Sequence, residues 1–278
     1  MLQQLPPVYT AALFRPLHGE LLGLLRTLST ADWTRPTVAR GWKVRDVVAH
    51  LLDGDLRKLA ACRDDYLLPL TDPIENARDL ARLINGLNAS GVSYAARLSP
   101  RLLADLLGVT GSWVSDLVET LDPHDRACFA VSWAGEVMSE NWMDIGREYT
   151  ERWHHQAQIR AAVGVPRLLD PRWLDPLLDL SVRALPVAYA RLTSPDETTV
   201  SLLVRGRPTS AWTVVRQERS WRVFRGAPER SHASVVLDAD DAWRLFYNAL
   251  PPGAVESLEV HGDRHLVEPM LSARSVIL

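Results

Sequence analysis

The spacing of apolar residues changes once along the chain, and this change constrains the fold more than any other feature. Up to Val163 the apolar positions recur at helical spacing, which predicts a series of amphipathic helices. Beyond Pro171, short runs rich in Val, Trp, Thr and Phe alternate with turn residues, as is typical of strands. We therefore predict a helical domain at residues 1–166 and a smaller α+β domain at residues 171–278.

Helices are predicted for five stretches of the first domain. They cover residues 9–28, 43–67, 74–98, 101–121 and 140–163. The pair Ser99-Pro100 separates the third stretch from the fourth, and Gly164-Val165-Pro166 ends the fifth. Two prolines between Gly164 and Pro171 interrupt both periodicities, so we place the linker there.

The second domain is predicted to mix helices with strands in hairpin succession. The helices cover residues 173–192, 239–250 and 264–271, and the strands cover residues 198–206, 210–217, 220–226, 232–239 and 257–263. The acidic residues at the start of ADDAWRLFYNAL suit the first turn of a helix.

Composition narrows the possible partners. The 31 basic and 34 acidic residues give a formal charge of -3, which offers no general attraction to nucleic acid or to an anionic membrane. Cys62 and Cys128 lie far apart in the sequence and form no C-x-x-C motif, so neither a disulfide framework nor a zinc ribbon is indicated. No secretion signal and no apolar run of membrane-spanning length occurs. We expect a cytoplasmic protein.

The segment REYTERWHHQAQIR carries the strongest indication of chemistry. Glu151 and His155 stand at positions i and i+4, so they project from one face of the predicted helix about one turn apart. A metal site in a helical bundle needs a further ligand from a facing helix, and His50, at the rim of the apolar face of the second helix, is the best placed candidate. Two histidines and one carboxylate are typical of a catalytic zinc site with an open fourth position.

Each of these residues also has a structural interpretation. A Glu/His pair at i and i+4 is often a solvated surface pair, and a lone histidine beside an apolar stripe is often a partly buried residue with a protein partner. His154 points about 100° away from its neighbour on a helix, so we assign it to a hydrogen bond or to the surface. The other histidines have no partner at ligand spacing and are taken as structural.

Arginines offer a second, weaker prediction. Arg147 shares the face of Glu151 one turn earlier, where it can bind a substrate carboxylate or simply pair with Glu151. The C-terminal strands carry further arginines, and the sequence does not select among them: Arg205, Arg207, Arg216, Arg222 and Arg225. The segment W-A-G-E that begins at Trp133 is interpreted as a turn set by Gly135, or as part of a pocket wall.

Three segments are similar to the N-terminal module of the mycothiol-dependent maleylpyruvate isomerase family. They read GWKVRDVVAHLLDGD, SWAGEVMSENW and REYTERWHHQAQIRAAVG. The stretch from ASVVLDADDAWRLFYNAL to RHLVEPML resembles the second domain of that family. The resemblance implies a DinB-like four-helix bundle followed by a small sterol-carrier-like α+β domain. Residues 69–121 depart from the family pattern.

The resemblance also implies a cofactor and a reaction. A zinc ion, or another divalent transition metal, would be held by His50, Glu151 and His155, with water or a thiol completing the shell. Members use mycothiol, a low-molecular-weight thiol, and the founding activity converts maleylpyruvate into fumarylpyruvate. We therefore expect a metal-dependent isomerase or S-transferase that acts on a small electrophile. The alternatives are a binding module without catalysis and a metal-dependent hydrolase.

Overall fold

The computed structural model describes residues 2–69, 73–207 and 209–277, and these residues form two compact units. The helical unit contains Tyr9–Ala130, Met138–Leu168 and Ile277, and the sheet unit contains the described residues up to Val8, Val131–Val137 and Leu169–Val276. The sequence-based ranges assigned the first eight residues and Val131–Val137 to the helical domain. The division into domains at residues 166 and 171 stays a prediction.

The helical unit contains five α-helices within its described residues. They are α1 (Ala11–Thr27), α2 (Val44–Cys62), α3 (Ala77–Ala95), α4 (Pro100–Thr120) and α5 (Asn141–Val163). Helix α1 packs against α4 and α5, and α2 packs against the same two helices. These four helices therefore close a ring around one core, and α3 lies outside the ring against α2. The predicted helical N-terminal region is confirmed.

Local sequence signals set most helix ends. Pro100 begins α4, where the Ser99 hydroxyl accepts a hydrogen bond from the Leu102 amide at 3.2 Å. At the start of α2 the Asp46 carboxylate accepts from the Lys43 amide at 2.9 Å. Helix α5 ends at Gly164, whose positive φ of 75° favours glycine, as the predicted stop required.

The predicted end of the second helix is wrong. The second helix was predicted to continue to residue 67, but α2 ends at Cys62. The chain turns at Arg63 and Asp64, and Asp65 adopts a positive φ of 53° that a helix cannot accommodate. Residues 70–72, which belong to segment 69–121, lie outside the described residues.

The sheet unit is built on six strands, counted over its described residues, and on short helices. The strands are β1 (Gln3–Gln4), β2 (Thr199–Val204), β3 (Ala211–Gln217), β4 (Ser220–Arg225), β5 (Ala233–Leu237) and β6 (Glu259–Gly262). The helices are α6 (Pro171–Ser181), α7 (Leu185–Tyr189), α8 (Ala239–Phe246) and α9 (Arg264–Ser272). The predicted α+β character of the C-terminal region is confirmed. Its resemblance to sterol-carrier domains stays a prediction.

The strand order is β1-β4-β3-β2-β5-β6. Strands β2, β3 and β4 form the predicted antiparallel hairpins, but β5 pairs with β2 in parallel, with Val200 opposite Ala233. The prediction that all strands follow in hairpin succession is therefore wrong at β5, because the chain crosses back over the sheet after β4 and buries Val235 in its interior. Helix 173–192 is also divided, since a 3-10 turn at Val182–Ala184 separates α6 from α7.

Within the described parts of the chain, no helix is long and apolar enough to cross a membrane.

Candidate metal centre

His50, Glu151 and His155 lie together between α2 and α5, and we call them the ligand triad. His50 lies in the second turn of α2, and the other two residues lie one turn apart on α5. The Glu151 Oε2 atom is 3.4 Å from His155 Nε2 and 3.8 Å from His50 Nε2. The structure thus brings together the three residues that the sequence predicted as ligands.

The spacing of these atoms fits a divalent cation. One ligand atom from each residue lies within 4.8 Å of the others. Tetrahedral ligands about 2.0–2.2 Å from a zinc ion lie roughly 3.3–3.6 Å from one another. Both distances from Glu151 Oε2 are longer than the roughly 2.7–2.9 Å of a charge-assisted hydrogen bond. The 3.4 Å spacing lies within the range for two ligands of one ion, and the 3.8 Å spacing lies slightly above that range.

The triad is largely shielded from solvent, which strengthens the electrostatic interactions among its side chains. The side chains of His155, His50 and Glu151 are 8%, 12% and 25% exposed. Burial raises the pKa of the Glu151 carboxyl, but His154, His155 and His50 outweigh it and hold this pKa well below its usual value. Burial, together with the charges of His155 and Arg57, lowers the pKa of the His50 imidazole, although Glu151 raises it. An anionic carboxylate beside a neutral imidazole is the protonation state that metal binding requires.

Gln158 orients one of the candidate ligands. The His155 Nδ1–H donates to the Gln158 Oε1 atom at 2.9 Å, and Gln158 is itself buried one turn further along α5. With the proton held on Nδ1, the lone pair of His155 Nε2 faces Glu151. Partners of this kind fix the tautomer and direction of a metal-bound imidazole.

Two aromatic rings enclose the triad. The Trp42 ring lies 5.0 Å from the His50 ring and 6.2 Å from the His155 ring, measured between centroids. Its backbone is fixed by hydrogen bonds to Ala39 and Thr37 and follows Gly41, which has a positive φ of 81°. The centroid of the His154 ring lies 4.0 Å from that of the His155 ring. The His154 Nδ1 atom forms a hydrogen bond with the Thr150 carbonyl oxygen. His154 is buried, and the hydrogen bond confirms one of its two predicted roles.

Arg147 lies one turn before Glu151 and contacts other carboxylates. Its Nη2 donates to Asp144 Oδ1 and to Glu148 Oε1, both at 2.7 Å. Burial lowers the pKa of its guanidinium, but Glu148, Asp144 and Glu151 together raise it above the ordinary value. The predicted role of Arg147 in binding a substrate carboxylate stays a prediction, and an anionic substrate would share this guanidinium with two acidic residues.

Further along the same interface lies a group that we call the ion-pair cluster: Asp55 with Arg152, and Lys58 with Asp144. All four residues are buried. The Thr110 hydroxyl donates to Asp55 Oδ2 at 2.9 Å. In this cluster each carboxylate contacts a fixed cation, so its charge is compensated within the protein.

A buried histidine adjoins the cluster. The His18 ring packs against Gly111 on α4, where an added Cβ would collide with it. Burial and then the charge of Arg152 lower the pKa of His18 to about 4. His18 therefore stays neutral at neutral pH, in agreement with its assignment as structural.

Sequence reasoning missed several of these residues. Gln158 stands three residues after His155, so helical spacing alone would have placed it near the ring. Trp42 carried no comparable signal, because its position depends on the loop that precedes α2. The predicted turn at W-A-G-E is present, with Gly135 at a positive φ of 80°.

Most of the C-terminal arginines have acidic partners in the sheet unit. Arg205 pairs with Asp238 and Glu259, and Arg207 pairs with Asp175. Arg225 pairs with Asp179. These contacts favour a structural role, and the structure does not single out a ligand-binding arginine on the strands.

Comparison with known proteins identifies the family of the chain and solved structures with a similar fold. The profile of the family "mycothiol maleylpyruvate isomerase N-terminal domain" matches residues 14–160, more than half of the chain. No curated protein sequence matches significantly. A crystal structure of the mycothiol-dependent maleylpyruvate isomerase is similar, with a TM-score of 0.57, 11% identity and 90% of each chain covered.

A second solved structure is a mutant of the mycothiol-dependent maleylpyruvate isomerase in which one histidine is replaced by alanine. It gives a TM-score of 0.52 and 12% identity, and the match covers 84% of this chain and 86% of that one. At this level of identity the two structures establish a shared fold. The matches extend over both units of the chain, whereas the family profile ends within α5.

Proposed function

The chain belongs to the family of the mycothiol maleylpyruvate isomerase N-terminal domain, and from this premise we propose that it is a metal-dependent enzyme that uses mycothiol. The substrate class is a small electrophile with an activated double bond. The reaction is cis-trans isomerisation, as in the relatives of the same fold, or the closely related transfer of the thiol to the electrophile. The convergence of the ligand triad supports this proposal more than any other observation.

The ligand triad supplies the proposed metal site. His50, Glu151 and His155 offer two nitrogen donors and one oxygen donor, a set that suits Zn²⁺ or another divalent transition metal. When bound there with an open position, such an ion would lower the pKa of a coordinated thiol so that the thiolate exists near neutral pH.

The protein's own side chains prepare this site before any ligand arrives. Gln158 holds the proton of His155 on Nδ1, which leaves Nε2 free as a donor atom. Trp42 covers the two imidazoles and keeps water from that side. Partial burial also keeps Glu151 in a region of low dielectric, where its charge acts more strongly than in water.

The proposed reaction is a reversible addition. The thiolate of mycothiol adds to one carbon of the cis double bond of maleylpyruvate, and the electron pair moves into the adjacent carbonyl. Rotation about the resulting single bond and expulsion of the thiolate give the trans isomer, so that no thiol is consumed. Arg147 is our candidate for holding a substrate carboxylate during this rotation.

A direct assay tests the proposal. The full-length chain, supplied with Zn²⁺, is incubated with maleylpyruvate in the presence and absence of mycothiol, and fumarylpyruvate is quantified by chromatography. We expect product only when mycothiol is present, with the thiol recovered unchanged. Stoichiometric loss of thiol into an adduct would identify an S-transferase instead. Fumarylpyruvate formation that proceeds equally well without thiol would contradict the proposal, and cleavage of maleylpyruvate by water in the absence of thiol would indicate a hydrolase instead.

A further inference from the structure

The two cysteines are distant in the sequence but lie near each other in the folded chain. Cys62 is the last residue of α2 and is half-buried, whereas Cys128 is exposed on the segment between α4 and α5. The two thiols interact electrostatically, which places them near each other. Neither residue belongs to the ligand triad or to the ion-pair cluster.

Contacts of neighbouring residues hold this arrangement independently of the thiols. The Lys58 ammonium, one turn before Cys62, lies 5.6 Å from the centroid of the Phe129 ring, and Phe129 adjoins Cys128. The Cys128 segment is also fixed by backbone pairing, since the Ala127 amide donates to the Ser139 carbonyl at 2.8 Å. The end of α2 and the segment before α5 are therefore held together, which places Cys128 near Cys62.

We propose that Cys62 and Cys128 form a reversible intramolecular disulfide by exchange with a low-molecular-weight disulfide. The pair would be a modification site that senses the ratio of small disulfides to small thiols. This inference does not require the proposed metal or the proposed isomerase reaction.

The exposure of the two thiols sets the order of the exchange. The accessible Cys128 thiolate attacks the small disulfide, which releases one small thiol and leaves a mixed disulfide on Cys128. Cys62 then attacks the sulfur of Cys128 and releases the second small thiol. The small disulfide is reduced by two electrons, the protein thiols are oxidised by two electrons, and their two protons appear on the released thiols.

Burial makes Cys62 suited to the second step rather than the first. It raises the pKa of the Cys62 thiol, and the nearby Lys58 ammonium opposes this effect only in part. A small disulfide therefore finds few thiolates at Cys62. Once Cys128 carries the mixed disulfide, the proximity of the two side chains replaces a bimolecular encounter by an intramolecular one, which favours closure.

The test uses the full-length protein and hydroxyethyl disulfide as the oxidising probe. After incubation and removal of the probe, free thiols are titrated under denaturing conditions and the chain is analysed by peptide mass spectrometry. We expect both thiols to be lost, a cross-linked peptide containing Cys62 and Cys128, and full recovery of the thiols with a small reductant. Because the link closes a long loop, the Tm should rise by roughly 5 °C or more.

Two single variants make the outcome decisive. Cys62→Ala should stop at a stable mixed disulfide on Cys128, and Cys128→Ser should leave Cys62 almost unmodified. Wild-type protein that accumulates the mixed disulfide on Cys128 while Cys62 remains titratable would overturn the proposal. Disulfide-linked dimers as the main product would also overturn it. Metal content, measured in parallel, should be equal before and after oxidation, which separates this result from any failure of the proposed enzyme activity.

Discussion

Two groups of charged side chains lie along the same α2–α5 interface, and they are constructed differently. In the ion-pair cluster, Asp55 contacts Arg152 and Asp144 contacts Lys58, so each buried carboxylate has a fixed cation. In the ligand triad, Glu151 faces two imidazoles at 3.4 and 3.8 Å. In the first arrangement each carboxylate is neutralised by a fixed cation, whereas in the second the carboxylate faces two imidazoles. On our proposal, one interface therefore combines a structural ion-pair cluster with a metal-binding triad.

The largest expected effect lies in the ion-pair cluster. Asp55→Ala would leave the Arg152 guanidinium buried without its partner and would remove the acceptor of the Thr110 hydroxyl. We expect the free energy of unfolding to fall by about 3–5 kcal/mol, measured by urea denaturation. The matched control is Asp116→Ala, which breaks an exposed pair with Arg15 and should change stability little. Equal losses in the two variants would remove the distinction between buried and exposed pairs.

A substitution in the ligand triad should weaken metal binding and leave stability nearly unchanged. Glu151→Gln keeps the shape of the side chain but removes the anionic donor, so the metal-free protein should retain its stability within about 1 kcal/mol. The affinity for Zn²⁺ should fall by more than about 100-fold, since the loss of a second-shell partner alone costs about 10–100-fold.

Competition with a chromogenic chelator measures this affinity. Glu148→Gln, the same change on the same helix, is the control and should retain zinc binding, because Glu148 pairs with Arg147 rather than with the imidazoles. Unchanged zinc affinity in Glu151→Gln would show that the carboxylate is not a ligand.

A smaller effect is expected at the residue that orients His155. Gln158→Leu removes the acceptor of the Nδ1–H and should lower zinc affinity by about 10–100-fold. The control is Gln156→Leu on the same helix, a buried glutamine whose side-chain atoms have no hydrogen-bond partner. It should leave zinc affinity unchanged. If both variants bind zinc equally well, Gln158 does not orient the ligand.

The smallest expected effect is the pH dependence of stability that arises from His18, which adjoins the ion-pair cluster. The pKa of His18 is lowered from 6.5 to about 4 in the folded chain, first by burial and then by Arg152. As the pH falls, the unfolded chain binds this proton first, so the stability supplied by neutral His18 is complete above pH 6.5. It is lost progressively as the pH falls from 6.5 towards 4.

Between pH 7 and pH 5 this loss amounts to about 1–2 kcal/mol. His18→Leu should lose correspondingly less stability over the same interval, as measured by urea denaturation at each pH. His124→Ala, which removes an exposed imidazole, should behave like the wild type. A His18→Leu variant with the full wild-type dependence would exclude His18 as the source.

Most of the helical unit and the centre of the site follow from local sequence. Five amphipathic stretches correspond to α1–α5, and the i, i+4 spacing of Glu151 and His155 puts both on one side of α5. His50 was identified because it borders the apolar face of α2, which packs against α5. These inferences succeed because helical periodicity links sequence position directly to direction in space.

The remaining features depend on contacts between distant segments. The parallel pairing of β5 with β2 and the addition of β1, two polar residues at Gln3–Gln4, leave no periodic signal in the sequence. The proximity of Cys62 and Cys128 arises from the path of the segment before α5, not from spacing. Trp42 approaches the imidazoles through a loop whose course depends on Gly41.

The metal content of the purified full-length chain tests the central claim most directly. Elemental analysis of the wild type, after incubation with Zn²⁺ and removal of loosely bound ions, should give about one zinc ion per chain, as the one ligand triad found among the described residues implies. His50→Ala and His155→Ala should each lose this ion together with mycothiol-dependent activity, while remaining folded by circular dichroism. A wild type that retains no metal, or a folded His155→Ala variant with its full zinc content, would contradict the account.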